Sequence, residues 1–331
     1  MILKFLLSLP IVYLPDEFGR MDALFVVLGL VLLIAGGDFL LKGSVDLSLR
    51  LSIPKIVVGM TVVSFVTSAP EFIVSLQSAL RGFPDLALGN VVGSNLANLG
   101  LVLGITLLIG TLDIRRSFYF IDWPAMMLAS LLFYVFVVPD RMLGRTEGII
   151  MVVVLFIFLI YLLRFQEPAI AEVPPAFVNI LPLYKTIFFL GVGGVALWGG
   201  SELLISGAVG LATRLEISER IIGISLVSIG TSIPELAASV IAMIRKEKAI
   251  SVGNLIGSNI FNLLAVLGIT AIINPIHVID DHLIHSDLLW MLGISFLVLP
   301  LVFFPKGRRL GWRDGLILLA VYAIFLYTTF L

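Results

Sequence analysis

Residues 62–75 read VVSFVTSAPEFIVS, and residues 226–239, 164 positions further on, read LVSIGTSIPELAAS. At the same offset GNVVGSNLANLGLVLGI (89–105) returns as GNLIGSNIFNLLAVLGI (253–269). Between 36–105 and 200–269, about 28 of 70 aligned positions are identical without a gap, the mark of an internal repeat. Chance similarity between apolar segments would repeat Leu, Val and Ile. What recurs here at fixed spacing is Gly, Ser, Thr, Asn, Pro and Glu. A chain with this duplication folds as two related halves, and a site shared by them is built from both copies.

The setting of the repeats is a membrane. Of 331 residues, 60% are hydrophobic and 13% charged, against about 25% charged in a soluble domain. Apolar runs of about 20 residues, each enough to cross a bilayer, recur along the whole length. Hydropathy predicts ten spans, at 22–49, 53–80, 84–111, 117–138, 146–164, 183–213, 217–245, 248–273, 285–304 and 313–331. The spans at 22–49 and 183–213 exceed one membrane thickness and should tilt. The expected fold is an all-α integral membrane protein, with ten transmembrane helices in two five-helix inverted-topology repeats. Residues 1–21 form an N-terminal stub, 22–164 the first half with its repeat at 36–105, 165–182 a linker, and 183–331 the second half with its repeat at 200–269. The linker holds Pro168, Pro174, Pro175 and Pro182. Residues 1–20 read as an interfacial segment rather than a cleaved leader, because Pro10 interrupts the apolar run and no small-residue cleavage site follows.

Five crossings per half place the second copy upside down relative to the first. Inverted repeats recur in transporters, with the substrate site at the repeat interface near the bilayer midplane. Counting Lys and Arg by loop gives about 13 on one side against 7 on the other, so the positive-inside rule sets both termini outside. The net charge of −1 and the lack of a basic run give no reason to expect nucleic acid as a partner. With no cysteine, disulfides, thiolate metal sites and iron–sulfur clusters are excluded.

Glu71 and Glu235 sit inside apolar spans, where a charge costs at least about 2.5–3.5 kcal/mol. Two equivalent carboxylates facing one interface repel each other unless a cation or protons neutralise them, and the pair suits a divalent cation. Pro70 and Pro234 stand directly before them. Proline lacks the N–H and clashes with the carbonyl four residues back, which frees the carbonyls of Val66 and Gly230 and predicts a kink. The neighbouring carbonyls of Thr67 and Thr231 can then turn toward a cation. Two bidentate carboxylates and two carbonyls supply about six oxygens, the lower end for Ca²⁺; Mg²⁺ fits less well because it holds its waters. Without imidazole or sulfur at this depth, Zn²⁺ and Cu⁺ are poor candidates. Asn98 and Asn262 lie on partner helices with Ser94 and Ser258 four residues earlier, on the same face. Ser68 and Ser232 neighbour the glutamates, and Ser64 and Ser228 come about a turn before. These neutral oxygens suit Na⁺, although small polar residues also serve helix packing. Asp38 and Glu202 are repeat-equivalent acids that could line an access path, and the histidines His282 and His285 among Asp280, Asp281 and Asp287 read as a solvated loop.

Thr67-Ser68-Ala69-Pro70-Glu71 and Gly230-Thr231-Ser232-Ile233-Pro234-Glu235, with Gly93-Ser94-Asn95 to Asn98 and Gly257-Ser258-Asn259 to Asn262, resemble the alpha-repeats of the calcium/cation antiporter superfamily, in its prokaryotic sodium/calcium exchanger branch. The resemblance implies a ten-helix fold of two inverted halves. It implies Ca²⁺ on Glu71, Glu235 and the carbonyls of Thr67 and Thr231, and overlapping Na⁺ sites completed by Asn98, Asn262 and the serines. It also implies that the two long helices slide across the core. Two positions depart from the pattern: Val66 stands where the second copy has Gly230, and Asn262 stands where many relatives, including the potassium-dependent subgroup, place an acid. The resulting expectation is a Ca²⁺/Na⁺ antiporter without a cofactor, sufficient as a monomer, with Ca²⁺, Na⁺ and the lipid bilayer as its partners. A Ca²⁺/H⁺ antiporter using the same glutamates is the nearest alternative and a passive cation channel the next. No HExxH or comparable motif points to an enzyme.

Overall fold

The computed structural model describes residues 20–165, 181–214, 228–304 and 307–330. The N-terminal stub, most of the linker and the first part of the span expected at 217–245 lie outside the described residues.

Apolar runs with few helix breakers give long helices, and prolines, glycines and left-handed residues punctuate them. Helix α1 (Arg20–Leu51) ends at Ser52, whose φ of 53° no helix can continue. Next come α2 (Lys55–Thr67) and α3 (Ala69–Leu80), which meet at a 46° bend, then α4 (Pro84–Ile109), α5 (Phe118–Asp140) and α6 (Arg145–Phe165). The second half brings α7 (Leu183–Arg214), α8 (Ser228–Thr231), α9 (Ile233–Ile244), α10 (Lys248–Ile273), α11 (Leu283–Phe303) and α12 (Trp312–Phe330). Seven of these are long and apolar enough to cross a membrane by themselves, and the α2–α3 pair makes an eighth if its two pieces form one span. The bend is where Pro70 predicts it: Ser68 leaves helical geometry (φ −81°, ψ 4°), and the repeat-equivalent Ser232 does the same (φ −86°, ψ 2°).

The interior is polar and the exterior greasy, the reverse of a water-soluble protein. Ser64, Thr67, Glu71, Ser94, Asn98, Glu235, Asn254, Ser258 and Asn262 are buried, while Ile34, Phe156, Ile157, Val195 and Phe296 are exposed. In lipid there is no hydrophobic force to bury those rings and branched chains; small and polar residues mediate the helix contacts instead. Helices α4 and α10, the repeated GNxxGSN helices, form the centre, with 72% and 78% of their spans buried against at most 39% for the others. A Cβ on Gly59 of α2 would stand 2.7 Å from the Ile250 carbonyl of α10, so only glycine allows this crossing.

Helices α1 and α7 pack lengthwise on one another. Each has 32 residues, about 48 Å at 1.5 Å per residue, against a hydrocarbon core of about 30 Å. A Cβ on Gly36 would lie 2.8 Å from the Leu197 nitrogen, which explains their close approach. One end of the pair is tied by buried Asp46. It accepts the Leu181 N–H at 2.7 Å and the Thr186 hydroxyl, while Arg50 donates to the Leu181 carbonyl.

Among the described residues four two-residue strands fasten the loops. β1 (Leu112–Asp113) pairs antiparallel with β4 (Arg309–Leu310), and β2 (Met142–Leu143) with β3 (Ile276–His277). Each ribbon joins a loop of one half to a loop of the other.

Candidate cation site

The site forms where α2–α3 and α8–α9 break beside α4 and α10. Because Pro70 and Pro234 have no N–H, each helix restarts after a serine, with the glutamate in the first turn of the new segment. Among the described residues no backbone N–H bonds the carbonyl of Thr67 or Thr231. The Gly230 carbonyl, one of the two freed by proline, takes the Ser201 hydroxyl of α7 at 3.0 Å.

Glu71 and Glu235 are each 0% exposed. Among the described residues, both oxygens of Glu71 and Oε2 of Glu235 have no hydrogen-bond donor; Oε1 of Glu235 accepts the Ser68 hydroxyl at 3.3 Å. The two carboxyls lie near enough for their charges to act on each other. A buried carboxylate without donors is costly unless a cation meets it. Both side-chain polar atoms of Asn98, the Asn262 Oδ1 and the Ser232 hydroxyl are likewise buried and unpartnered. No group of three or more His, Cys, Asp or Glu side chains arranged to hold a metal occurs among the described residues. The centre therefore combines two carboxylates with neutral oxygens, which is chemistry for hard cations.

The lining crosses between repeats. Thr67 donates to Asn254 Oδ1 at 3.2 Å and lies 3.4 Å from the Ser258 hydroxyl. In the mirror arrangement Thr231 donates to Asn90 Oδ1 at 3.3 Å and lies 3.1 Å from the Ser94 hydroxyl. Ser94 and Thr231 face the carboxyl of Glu71; Thr67, Ser68 and Ser258 face that of Glu235. Each glutamate is thus surrounded by oxygens of both halves. Asn98 and Asn262 open wide π-helical turns (Asn98–Val102 and Asn262–Leu267), a feature common at functional sites. Asn262 also donates to Asn95 Oδ1 at 3.1 Å.

Solved proteins show the same architecture. The profile described as "Sodium/calcium exchanger protein" matches residues 21–164 and 185–331. The chain belongs to the sodium/calcium exchanger family. It is therefore a multi-pass membrane transporter of the cation antiporter class. It is 36% identical to the candidate antiporter CaxA of Alkalimonas amylolytica, over 93% of this chain and 98% of that one. It is 27% identical to the sodium/calcium exchanger MaX1 of Methanosarcina acetivorans, over 93% and 98%. A structure of the sodium-calcium exchanger NCX_Mj soaked with zero Na⁺ and Ca²⁺ superposes with a TM-score of 0.79 at 26% identity, covering 93% of this chain and 99% of that chain.

Of the residues singled out in the sequence, Glu71, Glu235, Thr67, Thr231, Ser68, Ser94 and Ser258 converge here. Asn98, Asn262 and Ser232 are buried in the elements that build the centre. Ser64 stands at the α2–α10 crossing with its hydroxyl between the Gly59 and Asn254 carbonyls, at 2.9 and 3.1 Å. The side chain of Ser228 lies outside the described residues. Asp38 is away from the centre, paired with Lys42 at 2.8 Å and Arg245 at 2.6 Å, and Glu202 is exposed. Asp281 of the histidine loop pairs with Arg141 at 2.6 Å. Sequence reasoning missed Asn90 and Asn254. The signal was present: both belong to the repeated Gly-Asn, four residues before Ser94 and Ser258 and so on the same helix face.

Proposed function

We propose that the protein exchanges Ca²⁺ for Na⁺ by alternating access at this one site. The observation that carries the reading is the pair of fully buried, repeat-equivalent glutamates, three of whose four oxygens have no protein donor. Ca²⁺ takes Glu71, Glu235 and the Thr67 and Thr231 carbonyls. Na⁺ takes the same carboxylates with Asn98, Asn262 and the serines Ser64, Ser68, Ser94, Ser228, Ser232 and Ser258. Sharing the carboxylates makes occupancy by the two ions mutually exclusive, which is what exchange requires. Relatives named as sodium/calcium exchangers support Na⁺ as the partner ion.

The fold proposed is ten spans in two inverted five-helix halves, with α8–α9 belonging to the seventh span. The loop-to-loop contacts among the described residues agree with that count. β1–β4 and the Lys55–Glu247 and Lys248–Asp113 pairs join loops assigned to the inner side; β2–β3 and Arg141–Asp281 join loops assigned to the outer side. The assignment puts both termini outside in an inner or plasma membrane. Alternating access is supported by an asymmetry. Asp38 of α1 pairs with Arg245 after α9 at 2.6 Å, whereas the repeat-equivalent Glu202 of α7 and Arg81 after α3 form no ion pair with each other. Two related halves thus stand in different arrangements at their two ends. Transport couples to their exchange.

The test is ⁴⁵Ca²⁺ uptake into proteoliposomes loaded with Na⁺ and diluted into Na⁺-free buffer at constant pH. Choline-loaded vesicles and an imposed pH gradient serve as controls. Uptake that requires internal Na⁺ establishes the exchange. Uptake that ignores Na⁺ and follows the pH gradient overturns Na⁺ coupling and makes the protein a Ca²⁺/H⁺ antiporter. Flux down the Ca²⁺ gradient without any counter-ion overturns alternating access in favour of a channel.

A further inference from the structure

Asn90 and Asn254, 4% and 0% exposed, hold equivalent places in the two halves. Asn90 Nδ2 donates to the Glu71 backbone carbonyl at 3.3 Å and to the Ser75 hydroxyl at 3.0 Å. Asn254 Nδ2 donates to the Glu235 carbonyl at 3.4 Å and to Ser239 at 3.0 Å. A backbone carbonyl can only accept, so the orientation of both amides is dictated: nitrogen to the glutamate backbone, oxygen to the opposite half. The Ser75 proton goes to the Ala87 carbonyl at 3.2 Å, which leaves Ser75 as acceptor for Asn90 and locks that amide a second time.

The amide oxygen in turn decides where hydroxyl protons go. Thr231 has one proton and directs it to Asn90 Oδ1. With that proton on Asn90, the 3.1 Å contact between Ser94 and Thr231 is donated by Ser94. In this arrangement both hydroxyls that face Glu71 spend their protons on one another and on Asn90 and offer it lone pairs. Among the described residues neither Glu71 oxygen has a donor in hydrogen-bonding geometry. On the other side the nearest acceptor for the Thr67 proton is Asn254 Oδ1 at 3.2 Å, ahead of the Ser64 carbonyl at 3.4 Å.

We infer that Asn90 and Asn254 are positioning residues that orient the Thr231–Ser94 and Thr67 hydroxyl protons away from the centre, so that these oxygens act as cation acceptors instead of hydrogen-bond donors that would neutralise the glutamates. Each asparagine works across the repeat interface, on the threonine of the other half. The inference rests on the cation site proposed above and adds what gives that site its preference for cations.

The test is a double-mutant cycle on Ca²⁺ affinity, read by calorimetry on the purified protein and by the half-saturating Ca²⁺ of uptake. Asn90→Ala releases the Thr231 proton to Glu71, and a charge-assisted hydrogen bond must then be broken for Ca²⁺ to bind. This weakens affinity about tenfold or more, with the maximal rate falling less than the affinity. Thr231→Val keeps the backbone carbonyl and removes the proton. In that background Asn90→Ala should cost less than about threefold, because the proton it would misdirect is gone. A full tenfold loss in both backgrounds overturns the inference and makes Asn90 a packing residue. So does wild-type affinity in Asn90→Ala. If Asn90→Ala does not fold, the same cycle on Asn254→Ala and Thr67→Val carries the same two outcomes. Absence of Ca²⁺ binding in the wild type refutes the site itself, and that result is separate from the cycle.

Discussion

Glu71→Gln is the most incisive change to the site. Glutamine has the same shape, so packing is kept. Neither Glu71 oxygen accepts a hydrogen bond from the described residues, so the amide breaks none among them. What is lost is one of two formal negative charges and one of about six oxygens offered to Ca²⁺, its place taken by an NH₂ that can only donate. Removing one partner of a buried, desolvated charge pair costs about 2–5 kcal/mol. At about 1.4 kcal/mol per decade, Ca²⁺ affinity falls about 30-fold to several thousand-fold. The assay is thermal melting in detergent with and without Ca²⁺, beside ⁴⁵Ca²⁺ flux. A ligand at 100 times its Kd stabilises the folded state by about 2.7 kcal/mol. If Kd rises 100-fold, the same Ca²⁺ gives only about 0.4 kcal/mol. The variant should therefore melt as the wild type does without Ca²⁺ and gain almost nothing when Ca²⁺ is added. Equal Ca²⁺ stabilisation in the two proteins, with wild-type flux, would refute the assignment of Glu71 as a ligand.

Glu235→Gln should abolish Ca²⁺ flux as well while leaving a folded protein; retained flux would remove Glu235 from the site. Protons compete with Ca²⁺ for carboxylate oxygens, so half-saturating Ca²⁺ should rise as pH falls from about 8 to 5.5 at fixed Na⁺, and a flat profile would count against carboxylate ligation. Gly59→Ala should destabilise the protein by about 1–3 kcal/mol, since its Cβ would meet the Ile250 carbonyl at 2.7 Å and Gly253 Cα at 3.0 Å; unchanged melting would show that α2 and α10 can separate. Asp38→Asn breaks an ion pair whose Arg245 side is 60% exposed, a contact worth about 0–1 kcal/mol. A cysteine introduced as Leu41→Cys into this cysteine-free chain should then react with a maleimide up to about fivefold faster, and no change would show that the pair does not help to set the different arrangements of the two ends.

The bend at Pro70 and the burial of Glu71 and Glu235 were legible in the residues. Proline acts on its own helix through the missing N–H, and a carboxylate within an apolar run has nowhere to go but inward. Several span limits were legible too, because they follow from the length of apolar runs: 248–273 is read as α10 to the residue, and 84–111 overshoots α4 by two. The duplication announced two related halves because it repeats polar residues that a lipid-facing surface would not keep in register.

What local pattern could not state is which copy meets which. Thr67 reaches Asn254 and Ser258, 187 and 191 positions away; Thr231 reaches Asn90 and Ser94, 141 and 137 positions away. Helical periodicity tells which residues share a face, not which face of another helix it will meet. Only packing brings the threonine of one half to the asparagine of the other. For the same reason Ser64 and Ser94 look alike in sequence, yet one lies at a helix crossing between two carbonyls and the other faces a glutamate. The sequence by itself determined the membrane setting, the duplication, the helix breaks and the two buried charges, because each depends on residues close together in the chain. The tertiary structure decided the crossed pairing of the halves, and with it the direction of every hydroxyl around the site, because those depend on contacts between segments that the chain holds far apart.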